Sequence, residues 1–558
     1  MIQQIDYFVI AVPLVLAVVA GLMLLLDAFL PARPTTRISL GLVTLAGVLV
    51  SLGLVVAQAI RGGGALATFC VPHELAGALS VGAGTSGAAA PGGQGLCSFV
   101  VDQFTLVFAG LILVAAVVVV LLSMTELAGG RIPVGEWYFL LLCTLVGAVT
   151  LPASRDLIML VVALELASLP VFALTGLKRY DGRSSEAAVK LFLVSVVSTA
   201  IMLFGVSLLY GVGGSVFLSR LAEVLSGKVT VPGGGGTGAY SSTPEISGGL
   251  PMVVTVGVVL VLAGFGFKIA AVPFHSWAAD VYQGAPIPVA ALLSVISKAA
   301  GFAGLILILV ATLAGQASTW TPVVAIVAAL TMTAGNLLAM RQRSAVRLLA
   351  WSSVAQSGYI LAPLAVAAAG GATRAAGAGG GATGAAGAGG AGVGGALPVA
   401  GAVGASLAYL VIYAAMNLGA FAVVMLVSRA APRNELDDYR GLAFRSPVAA
   451  LALAFCLICL AGLPPGLAGL FAKVVVFREI VHGGAGWLAV VMAVNTVIGL
   501  YYYIVWTARL FTPDGAARGA RRAPPATWIA VGLAVAVAVL FSVAPQLVLS
   551  MTSLSASG

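Results

Sequence analysis

Long apolar segments recur along nearly the whole chain, and this recurrence restricts its fold more than any other feature. A helix needs ~20 mostly apolar residues to cross a bilayer, and the sequence contains about 14 segments of that kind. The predicted spans are Tyr7–Leu30, Ile38–Ile60, Phe104–Leu127, Trp137–Leu151, Leu157–Leu177, Ala187–Tyr210, Met252–Ala271, Val289–Leu313, Pro322–Met340, Leu349–Ala369, Ser406–Val427, Val448–Val481, Trp487–Arg509 and Trp528–Leu549. Because helices satisfy all their backbone hydrogen bonds internally, these spans predict an all-α polytopic membrane protein.

The composition supports this interpretation. Hydrophobic residues make up 61% of the 558-residue chain, and charged residues make up only 8%. Soluble domains carry roughly 25% charged residues. So little charge cannot solvate a globular surface, which excludes a soluble enzyme, a disordered protein and a nucleic-acid-binding module.

The net charge of +9 reflects cations concentrated in alternate loops. One set of loops holds Arg33, Arg37, Arg131, Lys178, Arg179, Arg183, Arg341, Arg343, Arg347, Arg429, Arg433, Arg440, Arg445, Arg509, Arg518, Arg521 and Arg522. The other set holds only Arg61, Arg155, Arg220, Lys228 and Arg374. Since cationic loops stay in the cytoplasm, the first set is predicted to lie inside and the N-terminus outside. The first span lacks a basic segment before it, so we do not expect a cleaved signal peptide.

Three loops predicted outside are rich in glycine and alanine: Gly62–Gly95, Gly227–Gly249 and Gly370–Val403. Such segments cannot bury a core and are typical of flexible linkers. Their glycines are not followed by Lys-Ser or Lys-Thr, and no strand–turn–helix pattern surrounds them, so we expect no nucleotide site.

The five cysteines are too few for a disulfide scaffold. Cys70 and Cys97 share one outside loop, where either a disulfide or two free thiols is compatible with the sequence. Cys143, Cys456 and Cys459 lie in apolar spans and are interpreted as small core residues. Cys456 and Cys459 have a metal-like spacing but no second pair, so a metal site is not expected.

Four ionisable residues lie within apolar spans: Glu165, Lys268, Lys298 and Lys473. Lys190, near the start of its helix, is a weaker fifth candidate. A charge at mid-membrane costs about 2.5–3.5 kcal/mol on insertion scales, so each residue is a functional candidate. Snorkelling or a static ion pair is the alternative for any single lysine. One carboxylate cannot neutralise three lysines, however, and lysines balanced between charged and neutral forms suggest a proton relay.

Lys268 and Lys473 each lie on a helix that glycine and proline are predicted to interrupt. Paired interrupted helices in two halves of a chain are typical of inverted-repeat transporters, with sites near the membrane midplane. We therefore predict three N-terminal helices in residues 1–130, five-helix units in residues 131–315 and 316–510, and a C-terminal loop and helix in residues 511–558.

Several motifs surround these charged residues. They are LELASLP at 164–170, LKRYDGRSSEAAVK at 177–190, FKIAAVPFHSWAADVYQGAP at 267–286, SKA at 297–299 and LPPG at 463–466. In combination they closely resemble the N subunits of bacterial respiratory complex I, the proton-translocating NADH:quinone oxidoreductase. The resemblance covers about residues 100–510. Ala472 stands where the family usually has glycine, which is a mild departure.

The resemblance implies 14 transmembrane helices, two inverted five-helix repeats and discontinuous helices seven and twelve. Glu165 and Lys190 would be the charged residues of helices five and six. Lys268, Lys298 and Lys473 would be the lysines of helices seven, eight and twelve. The related L subunit carries a long lateral helix after its last span, and the M subunit has a glutamate in helix twelve, so both fit less well.

Membership of this family would imply that the chain is a proton-translocating subunit of complex I, located in the bacterial plasma membrane. The resemblance implies that this chain carries no cofactor. It also implies that partner subunits carry FMN, iron–sulfur clusters and quinone, and that M- and K-type subunits are the neighbours. His275 is a further relay candidate. The alternative is that His275 only forms a hydrogen bond with the backbone at a helix end. Asp280 and Tyr282 are expected to stabilise the loop after the broken helix.

Two other functions remain open from the sequence. One is the related subunit of a multisubunit sodium/proton antiporter or of a membrane-bound hydrogenase. The other is a structural membrane subunit without its own proton path.

Overall fold

A computed structural model describes residues 5–31, 33–61, 65–72, 96–130, 132–178, 181–226, 252–367, 401–513 and 524–553. Most of Gly62–Gly95 and Gly370–Val403 and all of Gly227–Gly249 lie outside these residues, and so do the linker predictions made for them. Within the described residues, 11 helices are long and apolar enough to cross a membrane. The two interrupted helices and α13, defined below, complete the predicted set, so the all-α polytopic fold is confirmed.

Some consecutive helices are joined by a few residues, and others are separated by the long glycine-rich segments. In the first part of the chain they are α1 (Ala11–Phe29), α2 (Pro34–Ile60), α3 (Gln103–Leu127), α4 (Val134–Thr150), α5 (Leu157–Leu166), α6 (Leu169–Gly176), α7 (Gly182–Gly213), α8 (Leu218–Leu225), α9 (Met252–Lys268), α10 (Trp277–Gly284) and α11 (Ile287–Thr312). In the second part they are α12 (Ala317–Ala339), α13 (Ala345–Leu361), α14 (Ala402–Ser428), α15 (Leu442–Arg445), α16 (Pro447–Ala461), α17 (Leu467–His482), α18 (Gly486–Phe511), α19 (Pro525–Val543) and α20 (Pro545–Ser553).

The two helices predicted to be interrupted are interrupted in the structure. Helix α9 ends at Lys268, and the chain passes through Ala270 at a positive φ of 57° before α10 begins. Helix α16 ends in Gly462, whose φ of 83° is the left-handed conformation that glycine adopts without strain. Since proline cannot continue a helix, the Pro464-Pro465 pair separates α16 from α17. The interruption after α16 leaves the carbonyls of Leu460 and Ala461 without helical partners beside Lys473.

The predicted span Leu157–Leu177 contains a further interruption that the sequence analysis did not anticipate. Helix α5 ends at Leu166, and α6 begins at Leu169 with Pro170 in its first turn. Helix α11 is also irregular, because a π-helical turn at Leu293–Ser297 precedes Lys298 directly. Such π turns are frequent at functional sites.

A small β-hairpin adds strand structure that the sequence analysis missed. Strand β1 (Leu66–Cys70) pairs antiparallel with β2 (Cys97–Val101), and a disulfide joins Cys70 to Cys97. Immediately after β2, Asp102 accepts a 2.7 Å hydrogen bond from Arg155 in a buried ion pair. The hairpin therefore ties the start of α3 to the loop that precedes α5.

The centre of the molecule is formed by α11, α13 and α14. In α11, 94% of the spanning window is buried, compared with 28% in α7. Every residue of α13 except Arg347 is buried. Polar side chains on these central helices are shielded from lipid, so they must be satisfied by other parts of the protein or by water.

Candidate functional site

Lys268 lies at the end of α9 and is 8% exposed. Its ammonium group donates a hydrogen bond to the hydroxyl of Ser168, at the interruption between α5 and α6. The Ser168 hydroxyl in turn donates to the carbonyl of Leu164. As the last residue of α9, Lys268 also lies at the negative end of the helix dipole, which favours a cation.

A small cavity borders Lys268. The polar side chains in its wall are those of Ser168, Ser195, Lys268 and Ser297, which directly precedes Lys298. Its volume of about 10 Å³ is enough for roughly one water molecule, and its polar lining offers the partners that a buried water needs. The cavity therefore brings α9 and α11 together at a site where a water could lie between them.

Lys298 follows the π turn of α11 and is 1% exposed. Its ammonium group donates to the backbone carbonyl of Ser353 and, at 2.7 Å, to the hydroxyl of Ser357. The Ser357 hydroxyl lies 2.7 Å from the carbonyl of Ile269, the residue after Lys268. Helix α13 thus supplies the partners of Lys298 and also contacts the interruption of α9.

Further polar groups continue from Lys298 along α13 and α14. The Tyr413 hydroxyl lies 2.9 Å from Ser353 Oγ. One turn beyond Ser353 on α13, Gln356 Oε1 accepts a 2.6 Å hydrogen bond from Tyr409. Hydroxyl groups can both donate and accept a proton, so such a row is chemically suited to transferring one.

Lys473 lies on α17 and is 8% exposed. Its Nζ donates to the carbonyls of Leu460 and Ala461, at 3.2 and 2.7 Å, in the last turn of α16. These carbonyls are free because the helix is interrupted there, and they form the negative end of the α16 dipole. The interruption therefore builds a cation site for Lys473 from backbone atoms.

Glu165 is half-buried and accepts a 2.8 Å hydrogen bond from Thr199 on α7. Glu165 also interacts electrostatically with Lys268. It lies three residues before Ser168, whose hydroxyl binds Lys268. Among the described residues, no ion pair within 4.0 Å joins Glu165 to Lys268, Lys298 or Lys473. The hydrogen-bond partners at this position are therefore Ser168 for Lys268 and Thr199 for Glu165.

Lys190 is not brought to the buried lysines. Its side chain is 44% exposed and pairs with Glu186 at 2.6 Å and with Asp280 on α10 at 3.2 Å. Asp280 also binds Arg347 at the start of α13, with a separation of 2.8 Å. These contacts are those of an ion-pair cluster at helix ends, which supports an anchoring role for Lys190.

The two other residues noted near α10 have apolar surroundings. The half-buried His275 ring packs edge-on against Trp351 at 5.5 Å. Tyr282 is buried, and its ring lies 6.4 Å from that of Phe421 on α14. Both residues hold α10 against the central helices.

The described residues contain no group of three or more His, Cys, Asp or Glu side chains arranged to hold a metal ion. Cys456 and Cys459 are fully buried in the core, as the sequence analysis predicted.

The polar groups around the charged residues were not predicted. Ser168, Ser353 and Ser357 bind the lysines. Thr199 binds Glu165, and Gln356, Tyr409 and Tyr413 continue the polar row. A signal was present, because Ser352, Ser353, Gln356 and Ser357 recur at helical spacing in the apolar span Leu349–Ala369.

A membrane bundle with two interrupted helices and buried lysines at their breaks defines an antiporter-like class of ion-translocating subunit. The family described as NADH:quinone oxidoreductase/Mrp antiporter, transmembrane, matches residues 154–377 and 393–499. NADH-quinone oxidoreductase subunit N 2 of Streptomyces griseus is 45% identical over 99% of this chain and 94% of its own length. NADH-quinone oxidoreductase subunit N of Salinispora tropica is 40% identical over 92% of this chain and 87% of its own length.

Solved structures agree with these relatives. A chain of respiratory complex I from Thermus thermophilus with bound aureothin is 27% identical, with a TM-score of 0.67 over 98% of this chain and 100% of that chain. A chain of the Mrp complex from Dietzia shares the fold, with a TM-score of 0.74 and 20% sequence identity. The match covers 98% of this chain and 96% of that chain. This chain belongs to the NADH:quinone oxidoreductase/Mrp antiporter family, among the subunits N of NADH-quinone oxidoreductase.

Proposed function

We propose that this chain is a proton-translocating membrane-arm subunit of a bacterial NADH:quinone oxidoreductase. The observation that carries the proposal is the arrangement of Lys268, Lys298 and Lys473. Each is buried, and each binds hydroxyl or carbonyl oxygens rather than a carboxylate at short range. Such surroundings hold an ammonium group without fixing it in a permanent ion pair, so the proton can leave.

In this proposal Lys268 and Lys298 receive protons from the cytoplasmic side and pass them towards Lys473. The cavity beside Lys268 and the hydroxyls on α13 and α14 support transfer between these sites. Glu165 favours the proton on Lys268 through its electrostatic interaction, so displacement of Glu165 would release that proton. His275 and Lys190 are secondary candidates, placed towards the α10 end of the site.

The energy for translocation comes from other subunits in this proposal. Moving one charge against 100 mV costs about 2.3 kcal/mol. We infer that partner subunits carrying FMN, iron–sulfur clusters and quinone supply it, and that M- and K-type membrane subunits are the direct neighbours. The chain would span the plasma membrane with its N-terminus outside, surrounded elsewhere by lipid.

We also propose that residues 131–315 and 316–510 form the two five-helix units, which follow residues 1–130 and precede residues 511–558. Each unit contains an interruption beside a lysine, after α9 with Lys268 in the first and between α16 and α17 with Lys473 in the second, although the first unit is interrupted between α5 and α6 as well. This correspondence supports an internal repeat.

Two alternatives share part of these observations. The fold match to an Mrp complex favours a subunit of a sodium/proton antiporter or related hydrogenase, although the relatives similar over nearly the full length are subunits N. A structural subunit without a proton path would not require buried lysines on three helices.

The test uses the intact complex in proteoliposomes, with NADH oxidation and proton uptake measured together. We expect Lys473→Ala or Lys268→Ala to abolish the pumping that depends on this subunit while the complex still assembles. Arg478→Ala is the matched control, because Arg478 lies on the same helix as Lys473 but is exposed and, among the residues that the structure describes, pairs with Glu479 at 3.1 Å. An unchanged proton-to-electron ratio in both lysine variants would disprove the proposal.

Affinity purification from native membranes separates the proposed complex from the alternatives. Co-purification of flavin and iron–sulfur subunits supports the oxidoreductase, whereas their absence from an intact assembly favours an antiporter.

A further inference from the structure

The buried aromatic side chain of Tyr359 lies beside Lys473. The Lys473 Nζ is 5.7 Å from the centroid of the Tyr359 ring, within the distance at which an aromatic face attracts a cation. Tyr359 is 2% exposed and Lys473 is 8% exposed, so water screens this interaction little. The ring completes a site whose other two partners are the carbonyls of Leu460 and Ala461.

No carboxylate competes with the ring for Lys473 on the helices that surround α17. Helices α13, α14, α16, α18 and α19 contain neither Asp nor Glu, and their cations Arg347 and Arg509 lie near helix ends. The other titratable groups on these helices are tyrosines and the thiols of Cys456 and Cys459. The single carboxylate on α17 itself, Glu479, pairs with Arg478.

The Tyr359 ring is held in place from two sides. It stacks on Tyr409 with ring centroids 5.9 Å apart and planes inclined by 17°. Its hydroxyl accepts a 3.2 Å hydrogen bond from Asn336 on α12, and Asn336 Oδ1 accepts one from Tyr502 at 2.9 Å. A ring held only for packing needs no such polar support, since a phenylalanine would fill the same space.

Tyr359 also shares α13 with the partners of Lys298. Ser357, which binds Lys298, is two residues before Tyr359, so the two residues lie on different faces of one helix. Helix α13 therefore contacts one lysine through hydroxyl and carbonyl groups and the other through an aromatic face.

We propose that Tyr359 is a positioning residue that stabilises the protonated form of Lys473 through its ring, and that Asn336 and Tyr409 keep the ring in place. This inference rests on the proposed function, in which Lys473 carries a proton. The aromatic face attracts the ammonium cation and offers no equivalent stabilisation to the neutral amine.

The test compares the pH dependence of pumping by the reconstituted complex in Tyr359→Phe and Tyr359→Leu. Loss of a desolvated cation–π contact weakens proton binding about 2- to 30-fold. Tyr359→Leu is therefore expected to move the alkaline limb of the pH profile to lower pH by roughly 0.4 to 1.5 units. Tyr359→Phe keeps the ring but, like Asn336→Ala, removes the hydrogen bond that helps to hold it, so both variants are expected to move the limb by less than Tyr359→Leu does.

Tyr439→Leu is the matched control for loss of a buried aromatic ring. Tyr439 is fully buried against Trp506, with ring centroids 5.4 Å apart, in the segment between α14 and α15. It is expected to reduce the amount of complex without moving the pH profile. An unchanged limb in an assembled Tyr359→Leu complex, or equal shifts in the Phe and Leu variants, would overturn the inference.

If Tyr359→Leu does not assemble, fluorinated phenylalanines at position 359 replace it. Each added fluorine weakens the ring's attraction for cations while its shape is nearly kept, so the limb should move stepwise with fluorine number. A limb that does not move with fluorine number would overturn the inference. In either design, pumping that survives Lys473→Ala contradicts the proposed function itself, whereas a null result at Tyr359 with Lys473 still essential contradicts only this inference.

Discussion

The ammonium group of Lys298 on α11 lies 2.7 Å from the hydroxyl of Ser357 on α13. The same hydroxyl lies 2.7 Å from the backbone carbonyl of Ile269, in the interruption that follows Lys268. Ser357 therefore contacts both the segment that follows Lys268 and Lys298 itself. A change in the position of α13 would alter the surroundings of Lys268 and Lys298 together.

Replacing Ser357 tests this connection directly. A hydrogen bond to a charged group contributes about 1.5–3 kcal/mol, so Ser357→Ala is expected to slow proton pumping by about tenfold or more. Assembly should be retained, because Lys298 keeps the carbonyl of Ser353 as a partner. The measurement is proton uptake per NADH oxidised and its rate in proteoliposomes.

Ser207→Ala is the control for this substitution. Ser207 on α7 is exposed, and within the described part of the chain its hydroxyl bonds to the carbonyl of Leu203 at 2.8 Å. Equal pumping rates in the Ser357→Ala and wild-type complexes would show that the hydroxyl has no role in transfer.

The sequence allowed the lysines to be predicted, but not their partners. A charge within an apolar span is conspicuous, and Gly462 with Pro464 and Pro465 showed where a helix would end. Which hydroxyl faces which lysine depends on how two helices rotate against each other, and apolar spans buried on all sides carry no amphipathic pattern that fixes this rotation. Ser353 and Ser357 were visible as polar residues only.

Glu165 shows the same limit. Its position on α5 was predicted, yet its 2.8 Å hydrogen bond from Thr199 arises from the packing of α5 against α7. We expect Thr199→Val, which keeps the shape of the side chain, to remove about 1.5–3 kcal/mol of stabilisation from the Glu165 carboxylate. Since Glu165 acts on Lys268 in the proposed mechanism, pumping should slow while electron transfer stays closer to normal.

Thr507→Val provides the comparison for Thr199→Val. Thr507 on α18 is partly buried and bonds to the carbonyl of Tyr503 at 2.8 Å, remote in sequence from the site. If both valine variants pump at the same rate, the hydrogen bond to Glu165 does not matter for function.

The loop between α6 and α7 offers a pH-dependent test outside the membrane spans. Burial alone would raise the pKa of Asp181, but the hydrogen bond and charge of Lys178 and the backbone N–H groups of Arg183 and Ser184 hold it below the ordinary 3.8. Asp181 also begins α7 by accepting a 3.1 Å hydrogen bond from Arg183 N. A depressed pKa stabilises the folded loop above pH 3.8, and this contribution is lost as the pH falls below that value.

Hydrogen exchange in the first turn of α7 measures this effect. At neutral pH, protection should decrease from wild type to Asp181→Asn, which keeps a capping oxygen, and further to Asp181→Ala. As the pH falls through the depressed pKa of Asp181, the wild type should approach the Asn variant, because both then carry a neutral side chain. A difference between wild type and Asp181→Asn that does not change with pH would contradict the assignment.

Lys190 is the weaker fifth candidate of the sequence, and its surroundings differ from those of the three buried lysines. Hydropathy places Lys190 inside an apolar run, while the structure leaves its side chain 44% exposed beside Glu186 and Asp280. The difference arises because Glu186 lies one turn before Lys190 on α7, and α10 brings Asp280 against the same face. The contact with Glu186 follows from the i,i+4 spacing on one helix, whereas the contact with Asp280 depends on how α10 packs against α7.

Asp280 joins three helices, because it binds Lys190 of α7 at 3.2 Å and Arg347 of α13 at 2.8 Å. Arg347 also donates to Gln283 of α10 at 2.9 Å. Partly exposed ion pairs each contribute about 0.2–1 kcal/mol, so Asp280→Asn and Arg347→Gln should each raise hydrogen exchange in α10 modestly. In the double variant their effects should be less than additive, with a coupling of about 0.5–1 kcal/mol, because the two side chains share one interaction.

Glu479→Gln removes one charge from an exposed pair on α17 and should leave exchange in α10 unchanged. The cluster fixes α10, and α10 carries Trp277, which lines the cavity beside Lys268. Pumping in Asp280→Asn should therefore fall by no more than about fivefold, as expected for ~1 kcal/mol of lost positioning. Strictly additive exchange effects in the double variant would mean that Asp280 and Arg347 act independently and do not hold α10 together.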